Sequence, residues 1–208
     1  MVSSPLPPPF LIAGNLAIDF VNSRATPDGV TIDWLQDGES MVGWYGAVSL
    51  FPETSLRELQ RSVSPALLGR VAAEARELRE LLRGQLSRPS QLRTNPVLWK
   101  TLNELLAQGS GFSVLRKEKD VPRLEDRERL EKPGQLLVPI AKAIARLIVE
   151  EDPTRLRPCE GLGCSLWFLD QTKAGHRRFC SASLCGNRAK VAAFRSRARR
   201  TVTPASSD

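Results

Sequence analysis

Along most of this chain apolar residues recur at the three- and four-residue spacing of amphipathic helices. The clearest case starts at Ser64, a capping residue followed by Pro65 at the first helical position, then Leu67, Leu68, Val71, Ala75, Leu78, Leu81 and Leu82 on one face. Arg70, Glu74, Glu77, Arg79, Glu80 and Arg83 fall on the other face, and Gly84 is the predicted stop. Asn95 and Pro96 repeat the cap-then-proline signature before Leu98, Leu102, Leu105 and Leu106, with the helix fading at Gly109. A last core helix is predicted over 136–150, striped by Leu137, Ile140, Ala141, Ile144, Leu147 and Ile148, and Pro153 bars its extension.

The beginning of the chain follows other rules. Pro5, Pro7, Pro8 and Pro9 predict an extended lead-in. Gly14 and Asn15 then read as a turn and an N-cap, before Leu16, Ala17, Ile18, Phe20 and Val21, which are apolar on nearly every side and so predict a short buried helix. Asp19 and Asn22 interrupt that run. Buried polar groups must be hydrogen-bonded, so both are candidates either for structural pins or for contacts in a ligand pocket. Residues 26–38 read as loop anchored by Trp34 and Leu35, and 39–49 as a helix around Trp44. Between Gly111 and Leu130 the helical period lapses and a β-hairpin is predicted; its charges, RKEKDVPRLEDRERLEK, mix both signs and read as a solvated surface.

Hydrophobic residues make up 41% of the 208, enough for a real core, and no run approaches the roughly 18 to 20 apolar residues of a membrane span. The opening MVSSPLPPPF has neither the basic nor the apolar region of an export signal, so a cytoplasmic location is expected. The net charge of +7 is unevenly placed: residues 1–150 hold 19 Lys/Arg against 18 Asp/Glu, residues 151–200 hold 11 against 4, and Asp208 supplies the remaining acid. The basic excess therefore belongs to the C-terminal segment, where it favours a polyanionic partner.

That segment also holds all four cysteines, Cys159, Cys164, Cys180 and Cys185, as C-x4-C, fifteen residues, C-x4-C. Two close pairs joined by a short hairpin can supply the four tetrahedral ligands of one structural zinc ion; disulfides, an iron-sulfur centre or free thiols remain as alternatives. Gly161 and Gly163 in the first loop, and Ser181, Ala182 and Ser183 in the second, let backbone N–H groups turn toward the sulfurs. Trp167 to Leu169 resemble a strand and Asp170 to Gly175 a turn, while Trp167, Phe168, Phe179 and Phe194 are the candidate core of so small a module. The single histidine, His176, reads as an exposed neighbour of Arg177 and Arg178. After Cys185 the sequence GNRAKVAAFRSRARR predicts a helix with Val191, Phe194 and Ala198 on a narrow stripe that docks on the zinc core. Arg188, Lys190, Arg195, Arg197 and Arg199 flank that stripe, and with Arg177 and Arg178 they are the candidate contacts to nucleic acid.

The run RPCEGLGCSLWFLDQTKAGHRRF followed by CSASLCGNRAKVAAFRSRARR resembles the C-terminal CGNR zinc-finger family, whose naming motif is Cys185, Gly186, Asn187 and Arg188 here. Members usually carry an N-terminal ABATE domain, whose opening is similar to NLAIDFVNSR in this chain, with Ser23 where the family often has threonine. The resemblance implies a stress-induced transcription regulator with a mainly helical N-terminal domain, which senses a ligand or mediates assembly, and a zinc module that binds DNA. The expected fold is therefore mainly α with a small β-hairpin over 1–152, a four-cysteine zinc finger built as a β-hairpin followed by a basic helix over 153–201, and a flexible tail over 202–208. Double-stranded DNA is the expected partner, with a small-molecule effector and a homodimer as further expectations.

Two other classes of function compete with this one. A protein-interaction or RNA-binding module uses the same zinc and the same charge. An enzyme finds little support: four cysteines close the zinc shell, one histidine stands alone, and only a pocket around Asp19, Asn22 or Asp33 is left to host chemistry. The chain is expected not to be an enzyme. Zinc removal is expected to unfold about the last 50 residues and leave the helical part intact.

Overall fold

The computed structural model describes residues 6–27 and 29–202, of which 196–202 are described by backbone alone. The N-terminal part is mainly helical. The lead-in is anchored by aromatic contact: Phe10 meets Trp34 edge-on at 5.6 Å, and the Trp34 indole N–H donates to the Pro7 carbonyl at 2.6 Å. Helix α1 (Leu16–Val21) is capped as expected, the Asn15 side chain accepting from the Ala17 N–H at 2.9 Å. Gly14, at φ +73°, supplies the left-handed turn before the cap.

The segment expected as loop contains a short strand, β2 (Ile32–Asp33), which pairs antiparallel with β1 (Arg24–Ala25) just before it. Helix α2 (Gly38–Ala47) follows, capped by Asp37. Helix α3 (Glu53–Ser62) escapes the sequence reading, because only Leu56 and Leu59 of its ten residues are buried and no side chain caps its start. Helix α4 (Pro65–Leu86) starts on the Ser64 cap as expected but passes straight through Gly84. Burial of Leu82 and Leu86 on one face outweighs the roughly 1 kcal/mol that a helical glycine costs. Helix α5 (Pro96–Leu106) has its Asn95 cap, and a 3-10 turn over Pro133–Leu137 leads into α6 (Val138–Glu150).

Strands β3 (Gly111–Glu118) and β4 (Val121–Glu128) form the expected hairpin, in register from Gly111↔Glu128 to Glu118↔Val121. Its two-residue turn, Lys119 and Asp120, has positive φ at both positions, the backbone that matches strand twist in tight hairpins. Nearly every hairpin side chain is exposed.

Helices α1, α2, α4, α5 and α6 enclose the core, in which Phe20, Trp44, Tyr45 and Phe51 form a chain of ring contacts between 5.5 and 6.0 Å. One charge enters this interior. Arg79 on α4 is 1% exposed and donates from both terminal nitrogens to the Asp33 carboxylate, at 2.7 and 2.8 Å, and to Ser23 Oγ at 3.2 Å. Burial works against the ionised form of Asp33, yet the bonds from Arg79 and from the Leu35 N–H prevail and hold its carboxyl below the ordinary value.

The C-terminal part carries β5 (Leu156–Pro158) and β6 (Trp167–Leu169), paired antiparallel, and α7 (Asn187–Val202). The strand at Trp167 is where the sequence puts it, but its partner lies before the first cysteine, so the hairpin loop carries Cys159 and Cys164 instead of separating the two pairs. The apolar core continues from the helices into this part, through Leu156, Leu166, Phe168 and Leu169 to the buried cysteines. The tail expected over 202–208 falls, from residue 203 on, outside the described residues. No helix among the described residues is long and apolar enough to cross a membrane.

Candidate metal centre and basic helix

The β5–β6 turn presents Cys159 and Cys164, and the segment leading into α7 presents Cys180 and Cys185. All four sulfurs lie within 4.8 Å of one another, and none is in a disulfide. Tetrahedral Zn–S bonds of about 2.3 Å set the sulfurs about 3.8 Å apart, so the cluster fits the ion. The surroundings fit it too. Cys159 Sγ accepts N–H bonds from Gly161 at 3.3 Å and Cys180 at 3.2 Å, and Cys185 Sγ accepts from the Arg188 guanidinium at 2.9 Å. Without a cation, a hydrogen bond to Cys164 and then burial push the Cys180 thiol up, while the same bond holds Cys164 down to about 5. Four sulfurs this close cannot all ionise unless positive charge sits between them.

Glycine at 161 is a steric requirement, since an added Cβ would stand 2.7 Å from Cys185 Sγ. The four cysteines hold one structural zinc ion, and with four thiolates no coordination position is left open.

The chain between the cysteine pairs is organised by Asp170, which is fully buried. Its carboxylate accepts from the Thr172 hydroxyl and N–H at 2.6 and 3.0 Å and from the Arg177 N–H at 2.9 Å. The Thr172 side-chain bond, the largest influence, together with these backbone bonds, holds its carboxyl down at about 2. Asp170 thus builds the turn that returns the chain to Cys180, where the sequence predicts a turn over 170–175.

The residues expected to meet nucleic acid divide into two groups. Arg177 turns inward: it lies 4.3 Å over the Phe168 ring and donates to the carbonyls of Phe179, Cys180 and Ile12. Arg188, besides Cys185, reaches the Pro27 carbonyl at 2.6 Å. Both guanidinium groups hold the module together. Arg178 is exposed, although paired with Glu160 at 2.6 Å, and His176 is exposed as expected. Lys190 and Arg195 stand in solvent on α7; Arg197 and Arg199 lie outside the residues whose side chains are described. Val191 and Phe194 of the expected α7 stripe do not dock on the zinc core, being 48% and 67% exposed, and Ala198 lies outside the residues whose side chains are described. Trp167, Phe168 and Phe179 pack as expected, and Leu184 packs with them where Phe194 does not.

Asn22 and Asp19 prove to be pins. The Asn22 amide donates to the Trp167 carbonyl at 2.8 Å and accepts its N–H at 2.9 Å, closing the free edge of β6 as a neighbouring strand would. Asp19 Oδ1 accepts the N–H groups of Ile12 and Ala13 at 3.1 and 3.0 Å. Those same two residues offer their carbonyls to Arg177 and to the Leu169 N–H. Burial pushes the Asp19 carboxyl up to about 6, partly offset by the bonds from Ala13 and Ile12. A carboxyl titrating higher in the folded chain than in the unfolded one favours folding most below the unfolded value, and that contribution is lost as pH rises through about 6. Asp19→Asn keeps the acceptor and sheds the charge, so thermal melts should show it more stable than the parent above pH 6, by up to about 2 kcal/mol, with the gap closing toward pH 4. An equal gap at both ends would count against the buried charge as its cause.

Comparison with known proteins agrees with this geometry. A family model described as "Putative stress-induced transcription regulator", ABATE, matches residues 14–151, and the CGNR zinc-finger model matches residues 155–198. A search of curated proteins returns no match. The ABATE match spans well over half of the chain and the cysteine cluster falls inside the second match, so the chain belongs to the ABATE family, joined here to a C-terminal CGNR zinc finger.

Proposed function

We propose that this protein is a DNA-binding transcription regulator in which zinc seats a basic helix on double-stranded DNA, while the helical N-terminal part senses an effector or mediates assembly. The observation that carries the reading is α7. It grows directly out of the ligand Cys185, and every side chain from Lys190 to Arg195 is exposed. A helix with no buried side chain among 187–195 is not there to complete a core. Its cations, Lys190 and Arg195, continue in sequence through Arg197 and Arg199, and a helix of this kind fits the major groove. Arg177 and Arg188 hold together the module from which the helix grows, and Arg178 adds an exposed cation to that module. The reading assigns no catalysis to a zinc ion enclosed by thiolates, and it sets the protein in the cytoplasm, where reduced thiols keep the site intact.

If four cations of α7 neutralise phosphates, affinity for duplex DNA falls by about 100-fold between 50 and 200 mM salt. Arg195→Glu combined with Arg199→Glu is expected to lower affinity at least ten-fold at unchanged zinc content. Fluorescence anisotropy with genomic DNA fragments measures both, and salt-independent binding would sink the reading. Exposed Val191 and Phe194 favour a second reading, a zinc-stabilised surface for a partner protein or RNA. Intact DNA binding in the double variant, with loss of such a partner, would select it.

A further inference from the structure

A cleft of about 1140 Å³ lies among β3–β4, α6, the start of α1 and the 49–55 segment. Sites for small ligands are of this order. We propose that it binds a small amphipathic anion, an apolar body carrying one carboxylate or similar planar group; this rests on reading the N-terminal part as a sensor.

The apolar half of the argument is the lining. Leu16, Leu50, Leu130 and Ala143 are only half-buried, and Phe112 is 39% exposed, so a ligand would remove apolar surface from water on several sides at once. The hairpin that brings Phe112 is otherwise solvated, and a two-stranded hairpin gains little stability by itself. An occupant of the cleft would give it a packing partner.

The polar half is an imbalance of hydrogen bonds. Five cations and five acids line the cleft, so formal charge cancels, but three of the acids are engaged by neighbouring side chains. Glu125 serves both Arg116 and Arg127, at 3.1 and 3.0 Å, Glu128 is bonded to Lys142, and Asp126 accepts from the Ser113 hydroxyl at 2.7 Å. Arg129 lies 5.3 Å over the Phe112 ring, with Glu131 only at 3.9 Å. Among the described residues neither Arg146 nor Glu150 makes an ion pair. Each guanidinium has five N–H donors, so Arg127, Arg129 and Arg146 keep most of theirs unspent; of the acids, Glu150 makes no ion pair, Glu131 has only the long contact to Arg129, and Glu128 Oε2 is buried without a hydrogen-bond partner. Planar anions meet such donors two at a time.

The position of the cleft suits a sensor. Asn15 and Leu16 line it at the start of α1, and Asn22, just past the end of the same short helix, grips Trp167 in the zinc module. Filling the cleft therefore acts on the element that the module is pinned to.

The test uses the zinc-loaded full chain without DNA and three probes of one shape: 1-naphthoate, 1-naphthamide and 1-naphthylmethylammonium, in equilibrium dialysis. Naphthoate is expected to bind saturably and at least ten-fold more tightly than the amide, with no saturable binding of the cation. Arg146→Gln and Phe112→Ala, both at exposed positions, should each weaken naphthoate about five-fold or more, whereas Arg195→Glu should leave it unchanged. Equal retention of the three probes, absence of saturable naphthoate binding up to millimolar concentration, or both cleft variants binding like the parent would overturn the proposal. Saturable naphthoate binding in a protein that ignores DNA would remove the regulator reading and leave this site standing.

Discussion

Stripping zinc from the full chain is expected to unfold the segment from β5 to the start of α7 and, in the same step, to release α1 and residues 12–14 before it. The first half follows from the metal. Structural zinc sites of this kind carry on the order of 10 kcal/mol of binding energy, and a module whose own core is three aromatic rings and a few leucines has little else to hold it. The second half follows from where the backbone bonds of residues 12–27 go. Ile12, Ala13 and Gly14 give their carbonyls to Arg177, Leu169 and Gln171. Asn22 grips Trp167, Thr26 exchanges bonds with Ser165, and Pro27 accepts from Arg188. Each buried group left without its partner costs about 1–3 kcal/mol, so α1 cannot keep its place once the module is gone. This narrows the expectation from sequence, in which the helical part survives intact. Hydrogen-exchange mass spectrometry during chelation should show protection falling at least 100-fold in 12–27 together with 155–188, while α4, α5 and α6 exchange slowly. Undiminished protection of 12–27 in the zinc-free protein would refute the coupling.

Asp33→Ala is expected to cost about 3 kcal/mol, because it leaves the Arg79 guanidinium buried without its main counter-charge. That is the low end for breaking a buried pair. Glu80 still meets Arg79 Nε at 3.0 Å and Ser23 still accepts a bond, which limits the loss. For a chain of this length the melting temperature should fall by roughly 6–12 °C. Adding Arg79→Met to the first change removes the stranded charge and should recover most of the loss, since a well-packed apolar replacement of a buried pair is often neutral. Thermal melts of the two variants decide it. A double variant no more stable than Asp33→Ala would mean that packing around the arginine stem, and not its charge, is what matters.

The helices were legible wherever an apolar stripe coincided with a capping residue, as at Ser64 and Asn95, and the metal centre was legible because four thiols at matched spacing leave few other uses. The rest depended on contacts between distant parts of the chain. Gly84 looks like a stop until Leu86 is seen to be buried beyond it. Helix α3 has too few apolar positions to show a period. Arg177 and Arg188 carry the same charge as Lys190 and Arg195, and nothing local distinguishes an arginine that turns back onto carbonyls from one that stays in solvent. Asn22 is the sharpest case: its sequence neighbours mark it as polar in an apolar run, but its partner is 145 residues away.

That separation has a kinetic side. The segment that Asn22, Thr26 and Pro27 anchor is made after helices α1 to α6, and contacts this remote in sequence are slow to close because the loop entropy is lost before any bond is gained. During translation residues 12–14 and α1 leave the ribosome with their partners not yet made, and Asn22 and Pro27 must wait for Trp167 and Arg188, 145 and 161 residues later. The last strand and the metal thus act as a clasp fastened late. A cell short of zinc would accumulate chains whose other helices have formed but whose residues 12–27 still lack a place to dock.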